Sequence, residues 1–278
     1  MNLSALKHHF KQEITHEEVE TLFYMTVEKI SGWGRTKVIL NPEQEVTAAE
    51  MKAYQAVISQ LKLGKPIQYI LGEAYFYGLT FKVNPAVLIP RAETEELVDW
   101  IIDEVKDLPA GSLLDIGTGS GCIAISLKNN LKEWDVAAID NSAEALAVAA
   151  QNAINQGLNV NFITADALNY SSPQKYEVIV SNPPYVKEDE REAMNADVVD
   201  HEPHSALFVS NDNPLVFYKA IADLAISNLE DNGYLFFEIN EYLGPQTVSM
   251  LNQKGFQDIV LKKDMQGKDR MICCRYRL

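Results

Sequence analysis

The chain has 278 residues, and 24 Lys and Arg against 39 Asp and Glu leave a formal charge of −15. A hydrophobic content of 47% with 23% charged residues excludes wholesale disorder. The acidic balance excludes a polyanion partner held by bulk charge, which needs clustered Lys and Arg. No run reaches the ~18 apolar residues of a membrane span, and residues 1–20 lack the apolar core of a signal peptide.

Thr15-His16-Glu17-Glu18 has the form of a capping box, and Val19, Leu22, Phe23, Val27 and Ile30 follow at helical spacing. A second box, Thr47-Ala48-Ala49-Glu50, opens a helix through Met51, Tyr54, Val57, Ile58 and Leu61, which Gly64 and Pro66 stop. These apolar stripes need partners, so residues 1–73 are expected to form a small helical bundle. Eight Lys and Arg against nine Glu give this region −1, so −14 belongs to the remainder.

Residues 75–83 are aromatic and β-prone around Gly78, and predict a β-hairpin within a linker at 74–89. Beyond it, short apolar strands alternate with helices through the domain expected at 90–278. Strands are expected at 113–116, 136–140, 161–164, 177–181 and 234–239, and helices at 122–131, 143–156 and 215–229. That alternation specifies a parallel sheet covered on both faces. Residues 258–262 and 271–276 predict a final antiparallel pair, with Cys273 and Cys274 pointing to opposite faces. Those two and Cys122 are the chain's cysteines; without C-x-x-C spacing, they suit a reducing cytoplasm and structural packing.

Leu113-Leu114-Asp115-Ile116-Gly117-Thr118-Gly119-Ser120-Gly121 runs a strand through three glycines into a helix. Glycines there permit a tight turn and close approach of a ligand to the backbone. The pattern is G-x-G-x-G rather than G-x-G-x-x-G. Asp115 just before it is expected to face a cationic group, which suits a positively charged cofactor better than NAD. Asp140, at the end of the second strand, can accept from ribose hydroxyls, and Asp166, at the end of the third, from an exocyclic amine. The fourth strand ends in Ser181-Asn182-Pro183-Pro184-Tyr185, where two prolines stiffen the backbone. The Asn182 side chain and the Pro183 carbonyl are acceptors that can take both hydrogens of a planar –NH2 group, with Tyr185 as an aromatic wall.

Asp115–Gly121 followed by Asn182-Pro183-Pro184-Tyr185 resembles the class I S-adenosylmethionine-dependent methyltransferases that modify planar amines and amides. Lys65-Pro66-Ile67-Gln68-Tyr69-Ile70-Leu71-Gly72, the Phe76/Gly78 hairpin, Leu88-Ile89-Pro90-Arg91-Ala92-Glu93-Thr94-Glu95 and Glu202-Pro203-x-x-Ala206-Leu207 narrow the resemblance to the HemK/PrmC family, the release factor glutamine methyltransferases. It implies a Rossmann-like fold with a mostly parallel seven-stranded sheet and a small N-terminal helical bundle joined by a β-hairpin. It implies methyl transfer from S-adenosylmethionine to the side-chain amide of the glutamine in the Gly-Gly-Gln motif of peptide chain release factors, leaving S-adenosylhomocysteine. Cofactor contacts are then expected at Asp115, Gly117, Thr118, Gly119, Ser120, Gly121, Asp140, Asp166, Ala167 and Asn182. Asn182, Pro183, Pro184 and Tyr185 are expected around the substrate. Two departures stand out: Ala92 replaces the family's Pro, and its Glu-Ile-Gly reads Glu238-Ile239-Asn240, to which no ligand contact is assigned.

No metal site, membrane or stable nucleic-acid partner is expected, and His201-Glu202-Pro203-His204 reads as a solvent-facing loop. Lys187–Glu192 reads as a solvated face or a cover beside the site. The alternatives are glutamine methylation of a ribosomal protein and, further off, methylation of adenine N6 or guanine N2 in a nucleic acid. The −14 part offers that second reading no charged cradle. A non-catalytic adaptor would be expected to have lost the glycine loop or the Asn182 turn, and both are intact.

Overall fold

The computed structural model describes residues 1–194 and 196–277. The chain forms two compact units: Met1–Glu73 with residues 196–201, and the rest.

The first unit holds α1 (Leu3–Glu13), α2 (Val19–Ser31), α3 (Arg35–Leu40), α4 (Ala48–Leu61) and α5 (Ile67–Leu71). Leu6, Phe10, Phe23, Val27, Tyr54 and Ile58 close its core. The Thr47 box forms as expected, with the Glu50 N–H on Thr47 Oγ1 and the Thr47 N–H on Glu50 Oε2. The Thr15 box does not form. His16 Nδ1 accepts the Glu18 N–H instead, and α2 starts only at Val19 without a side-chain cap. A ring nitrogen two residues ahead competes with a capping hydroxyl for the same free donors.

The second unit begins at Ala74, within the hairpin of β1 (Glu73–Phe76) and β2 (Leu79–Lys82). Its turn residues Tyr77 and Gly78 have φ of 46° and 78°. Positive φ at both central positions matches the twist of the flanking strands. Helix α6 (Ala92–Val105) follows; no helix was expected there. Then come β3 (Ser112–Ile116), α7 (Cys122–Asn130), β4 (Asp135–Asp140), α8 (Ala143–Gln156), β5 (Asn161–Thr164), β6 (Tyr176–Ser181) and β7 (Val186–Lys187). The short helix α9 (Ala196–His201) belongs to the first unit, and the second continues with α10 (His204–Leu207), β8 (Phe208–Val209), α11 (Val216–Asn228), β9 (Leu229–Glu238), α12 (Gly244–Gln253), β10 (Gln257–Lys263) and β11 (Asp269–Arg275).

The seven-stranded sheet has the order β10-β11-β9-β6-β3-β4-β5. Strands β9, β6, β3, β4 and β5 run parallel, and β11 is antiparallel to both its neighbours. This is the mostly parallel seven-stranded sheet that the resemblance implies. Alternate residues feed two cores. Leu113, Val178 and Phe236 pack with α6 and α7, and Leu114, Ile179 and Phe237 pack with α11 and α12. Cys273 joins the first core and Cys274 the second, so they do point to opposite faces; burial pushes both thiols above the ordinary range. Among the described residues no helix is long and apolar enough to cross a membrane.

Candidate active site

Strand order reverses between β3 and β6: the chain proceeds from β3 outward to β4 and β5, then returns to β6 on the other side. Ligands of open α/β sheets bind beyond the strand C-termini at such a point. A cavity of about 300 Å³ lies there, large enough to enter the range of small-molecule sites. Its walls include Gly117–Ser120 after β3, Asp140–Ser142 after β4, Ala165–Ala167 after β5 and Asn182–Pro184 after β6. Pro85–Leu88, Pro90, Arg91 and Thr94 also line it, with Pro203, Ser205 and Ala206.

Gly117, Gly119 and Gly121 all adopt positive φ, at 75°, 55° and 81°. The first two have open space where a Cβ would stand, so the backbone itself forms the wall. Gly121 serves packing instead. A Cβ there would meet Ile125 Cδ1 at 2.8 Å and Ala149 Cβ at 3.1 Å, and the residue does not line the cavity. The loop is pinned to the next strand. The Gly117 and Thr118 N–H groups donate to the Ile139 carbonyl, and the Gly119 N–H donates to Asp140 Oδ2 at 2.9 Å. Asn152 on α8 supports it from below: its Nδ2 donates to the Ser120 and Lys82 carbonyls, and its Oδ1 accepts the Lys82 N–H at 2.7 Å.

The structure does not bring Asp115 to the cavity. Its side chain is buried beneath the loop, taking the Thr118 hydroxyl at 2.6 Å and the Ala124 N–H on Oδ2, with no partner on Oδ1. Burial pushes its carboxyl up to about 7. The expected direct contact with a cation is thus replaced by an indirect role in shaping the loop. Asp140 does line the cavity, with Oδ1 also holding the Ser142 N–H. Ser142, not Asp140, caps α8. Asp166 sits exposed at the cavity's edge, accepting the Leu168 N–H and the Asn169 amide.

Across the switch point the Ser181 hydroxyl donates to the Ile116 carbonyl at 2.7 Å, tying the ends of β6 and β3 together. Asn182, Pro183 and Pro184 face the cavity. Tyr185 does not, and the aromatic wall expected of it is absent from the lining. Its hydroxyl donates to Glu238 Oε1 at 3.0 Å, which anchors the turn from behind; burial raises its pKa. Glu238 Oε2 takes the Thr94 hydroxyl at 2.6 Å, and Thr94 Oγ1 accepts from Asn182 Nδ2 at 3.3 Å. Burial pushes the Glu238 carboxyl up, opposed by the hydrogen bonds from Thr94 and Tyr185 and by the Arg270 charge.

The His201–His204 stretch is not the solvent-facing loop expected of it. Glu202 is buried, with a side chain 1% exposed, and pairs with Arg91 at 2.5 Å while accepting the Ile89 N–H. Two segments distant in sequence are thereby clipped into one cavity wall. In the Lys187–Glu192 stretch, Glu188, Asp189, Arg191 and Glu192 are exposed, but Glu190 is tied in: it takes the Asn240 side-chain amide at 2.9 Å. Among the described residues no group of three or more His, Cys, Asp or Glu could hold a metal ion.

A family model described as "Methyltransferase small domain" matches residues 93–206, and one described as "PrmC N-terminal domain" matches residues 3–72. The chain is 46% identical over 265 residues to the release factor glutamine methyltransferase of Flavobacterium psychrophilum, covering 94% of this chain and 93% of that protein. It belongs to the release factor glutamine methyltransferase family. The Bacteroides thetaiotaomicron member is 43% identical over 258 residues, 92% of each chain. Among solved structures, a methyltransferase from Pyrococcus furiosus shares the fold, with a TM-score of 0.54 at 16% identity over 81% of this chain and 98% of that one.

The site fits the cofactor that the family resemblance implies. Backbone open to a ligand at Gly117 and Gly119, carboxylates at Asp140 and Asp166, and the Asn182 side chain line one cavity. Thr94, Asn152, Glu202 and Glu238 support the site in addition to the residues expected from the sequence. One signal was available: Glu238 ends the apolar run Leu235-Phe236-Phe237, and a charge in a buried strand requires partners.

Proposed function

We propose that this chain transfers a methyl group from S-adenosylmethionine to the side-chain amide nitrogen of the Gly-Gly-Gln glutamine of peptide chain release factors, in the cytoplasm. The Asn182-Pro183-Pro184 turn carries this reading, because it opens onto the same cavity as the glycine loop. S-adenosylmethionine, when bound, supplies an electrophilic methyl group on a sulfonium. Asp140 would hold its ribose, and Asp166 with Ala167 the adenine end, while the Gly117–Gly119 backbone allows close approach.

An amide nitrogen is a poor nucleophile because its lone pair is delocalised into the carbonyl. Asn182 Oδ1 and the Pro183 carbonyl, accepting its two hydrogens, shift density onto nitrogen and fix its direction. Orientation of this kind is worth several kcal/mol of barrier, on the order of 100-fold or more in rate. The N-methylated amide is strongly acidic until it loses its proton, so no strong general base is needed. The helical unit, 1–73, is read as the part that recognises the release factor, and the hairpin as its link to the methyltransferase part.

Labelled S-adenosylmethionine offered with purified release factor, ribosomal protein and DNA tests the reading. One added methyl on the Gly-Gly-Gln glutamine is expected. Label in DNA alone, or in the ribosomal protein alone, overturns it.

A further inference from the structure

An asparagine amide has an acceptor end and a donor end, and the proposed chemistry uses only the acceptor. Rotated by about 180° about its last torsion, Asn182 would present N–H groups to the N–H groups of the substrate amide, and repel them. Nothing within the Asn182-Pro183-Pro184 turn decides between the two orientations. The decision lies with two residues that come from other elements.

Glu238 ends β9, which lies beside β6 in the sheet with Ser181 opposite Phe237. Its side chain is buried, and each oxygen takes one hydroxyl: Thr94 on Oε2 and Tyr185 on Oε1. Both of its oxygens accept, and neither gives a hydrogen to these hydroxyls. Thr94 must therefore direct its single hydrogen to Glu238, at 2.6 Å, and toward Asn182 it can only accept. The 3.3 Å contact then requires the nitrogen end of Asn182 at Thr94, which leaves Oδ1 for the cavity. The Tyr185 hydroxyl fills the second oxygen and holds the far end of the same turn, so Glu238 fixes both sides of it.

We propose that Thr94 and Glu238 are positioning residues that set the polarity of the Asn182 amide, keeping its oxygen aimed at the substrate nitrogen. This rests on the release factor reading above, and the wild-type rate on release factor tests that reading separately.

The test uses the full chain with release factor and S-adenosylmethionine. Thr94→Val keeps the shape and removes the hydroxyl, Thr94→Ser restores it, and Glu238→Gln keeps the volume but offers an acceptor to only one of its two hydroxyl partners. Each is made in wild type and in Asn182→Ala, with Tm and cofactor Kd measured alongside. Thr94→Val should lower kcat at least about tenfold, with cofactor Kd and release factor KM within about threefold. Thr94→Ser should recover most of the loss. In the Asn182→Ala background, neither Thr94→Val nor Glu238→Gln should reduce kcat further, because the amide they orient is gone. A smaller effect of Thr94→Val in wild type overturns the proposal. So does an equal loss in both backgrounds, the signature of general loosening. Should Thr94→Val fail to fold, Glu238→Gln decides by the same comparison.

Discussion

The glycine loop after β3 and the proline turn after β6 face one cavity but are held in place by different means. The loop is set by its own backbone: three positive-φ glycines and N–H groups pinned to Ile139 and Asp140 on the adjacent strand end. The turn is stiff in its backbone, yet one of the groups it offers the cavity is the Asn182 side chain, whose direction depends on Thr94 from α6 and Glu238 from β9. Backbone walls suit a constant ligand that must be approached closely. An oriented side chain suits a step in which hydrogen-bond polarity matters. Perturbing the two regions should therefore give separable phenotypes: binding for the loop, turnover for the turn.

The strongest break is Asn182→Ala. Turnover on release factor should fall about 100-fold or more, as for loss of one oriented hydrogen-bonding group, while cofactor Kd stays within about threefold. Single-turnover rates and calorimetric titration measure the two quantities. Near-normal turnover would remove Asn182 from the chemistry.

Next in size, the loop itself divides. Gly117→Ala adds a methyl to the cavity wall at a φ of 75°, a strain of about 1–2 kcal/mol for an L-residue. Cofactor affinity should weaken about tenfold while kcat at saturating cofactor changes little. Gly121→Ala carries the same strain and adds a clash with Ile125 and Ala149 away from the cavity. It should appear first as a lower Tm, at roughly 2–4 °C per kcal/mol. If both variants change affinity alone, the division of labour among the glycines is wrong.

The same contrast explains what could be read from the sequence. The strand ends, the glycine loop, the hairpin turn and the Thr47 cap all have their determinants within a few residues: a positive φ that glycine tolerates, an alternating apolar pattern, a hydroxyl three residues before a glutamate. The supports of the turn do not. Thr94 meets Glu238 across 144 residues of sequence, and Arg91 meets Glu202 across 111. In a single sequence such polar residues look like ordinary helix starts and loop charges. Even a local signal fails when a neighbour competes, as His16 does for the donors that Thr15 would have capped. Asp115 was legible as important but not as buried, because its position just before a ligand loop does not reveal whether its side chain faces the ligand or the protein interior.

Asp115 supplies a pH test of the loop. Its carboxyl has a folded pKa of about 7 against an ordinary 3.8, first because burial disfavours the charged form. A raised acid binds more protons in the folded state between those values. Its contribution therefore favours folding at low pH and is lost as pH rises from about 4 to about 7, a change of roughly 4 kcal/mol at most. Asp115→Asn keeps an acceptor for the Thr118 hydroxyl and cannot ionise. Its Tm should change less steeply than that of wild type between about pH 5.5 and 7.5. Parallel Tm curves for the two proteins would show that Asp115 does not titrate there.

The smallest effect concerns the whole surface rather than either end of the site. The helical region carries −1 and the remainder −14, so the acidity surrounds the cavity-bearing part of the chain. A release factor loop that works against ribosomal RNA has reason to be basic, and exposed opposite charges would speed its encounter with this surface. Such attraction is screened beyond ~8 Å at physiological ionic strength. Raising salt to about 0.3 M should then lower kcat/KM for release factor several-fold through KM. The single-turnover rate at saturation and the cofactor Kd should hold steady, because neither the glycine loop nor the Asn182 turn relies on long-range charge. A salt-independent KM would assign the negative charge to solubility alone. A salt-dependent rate at saturation would mean that the turn is less insulated from solvent than its buried Thr94–Glu238 support implies.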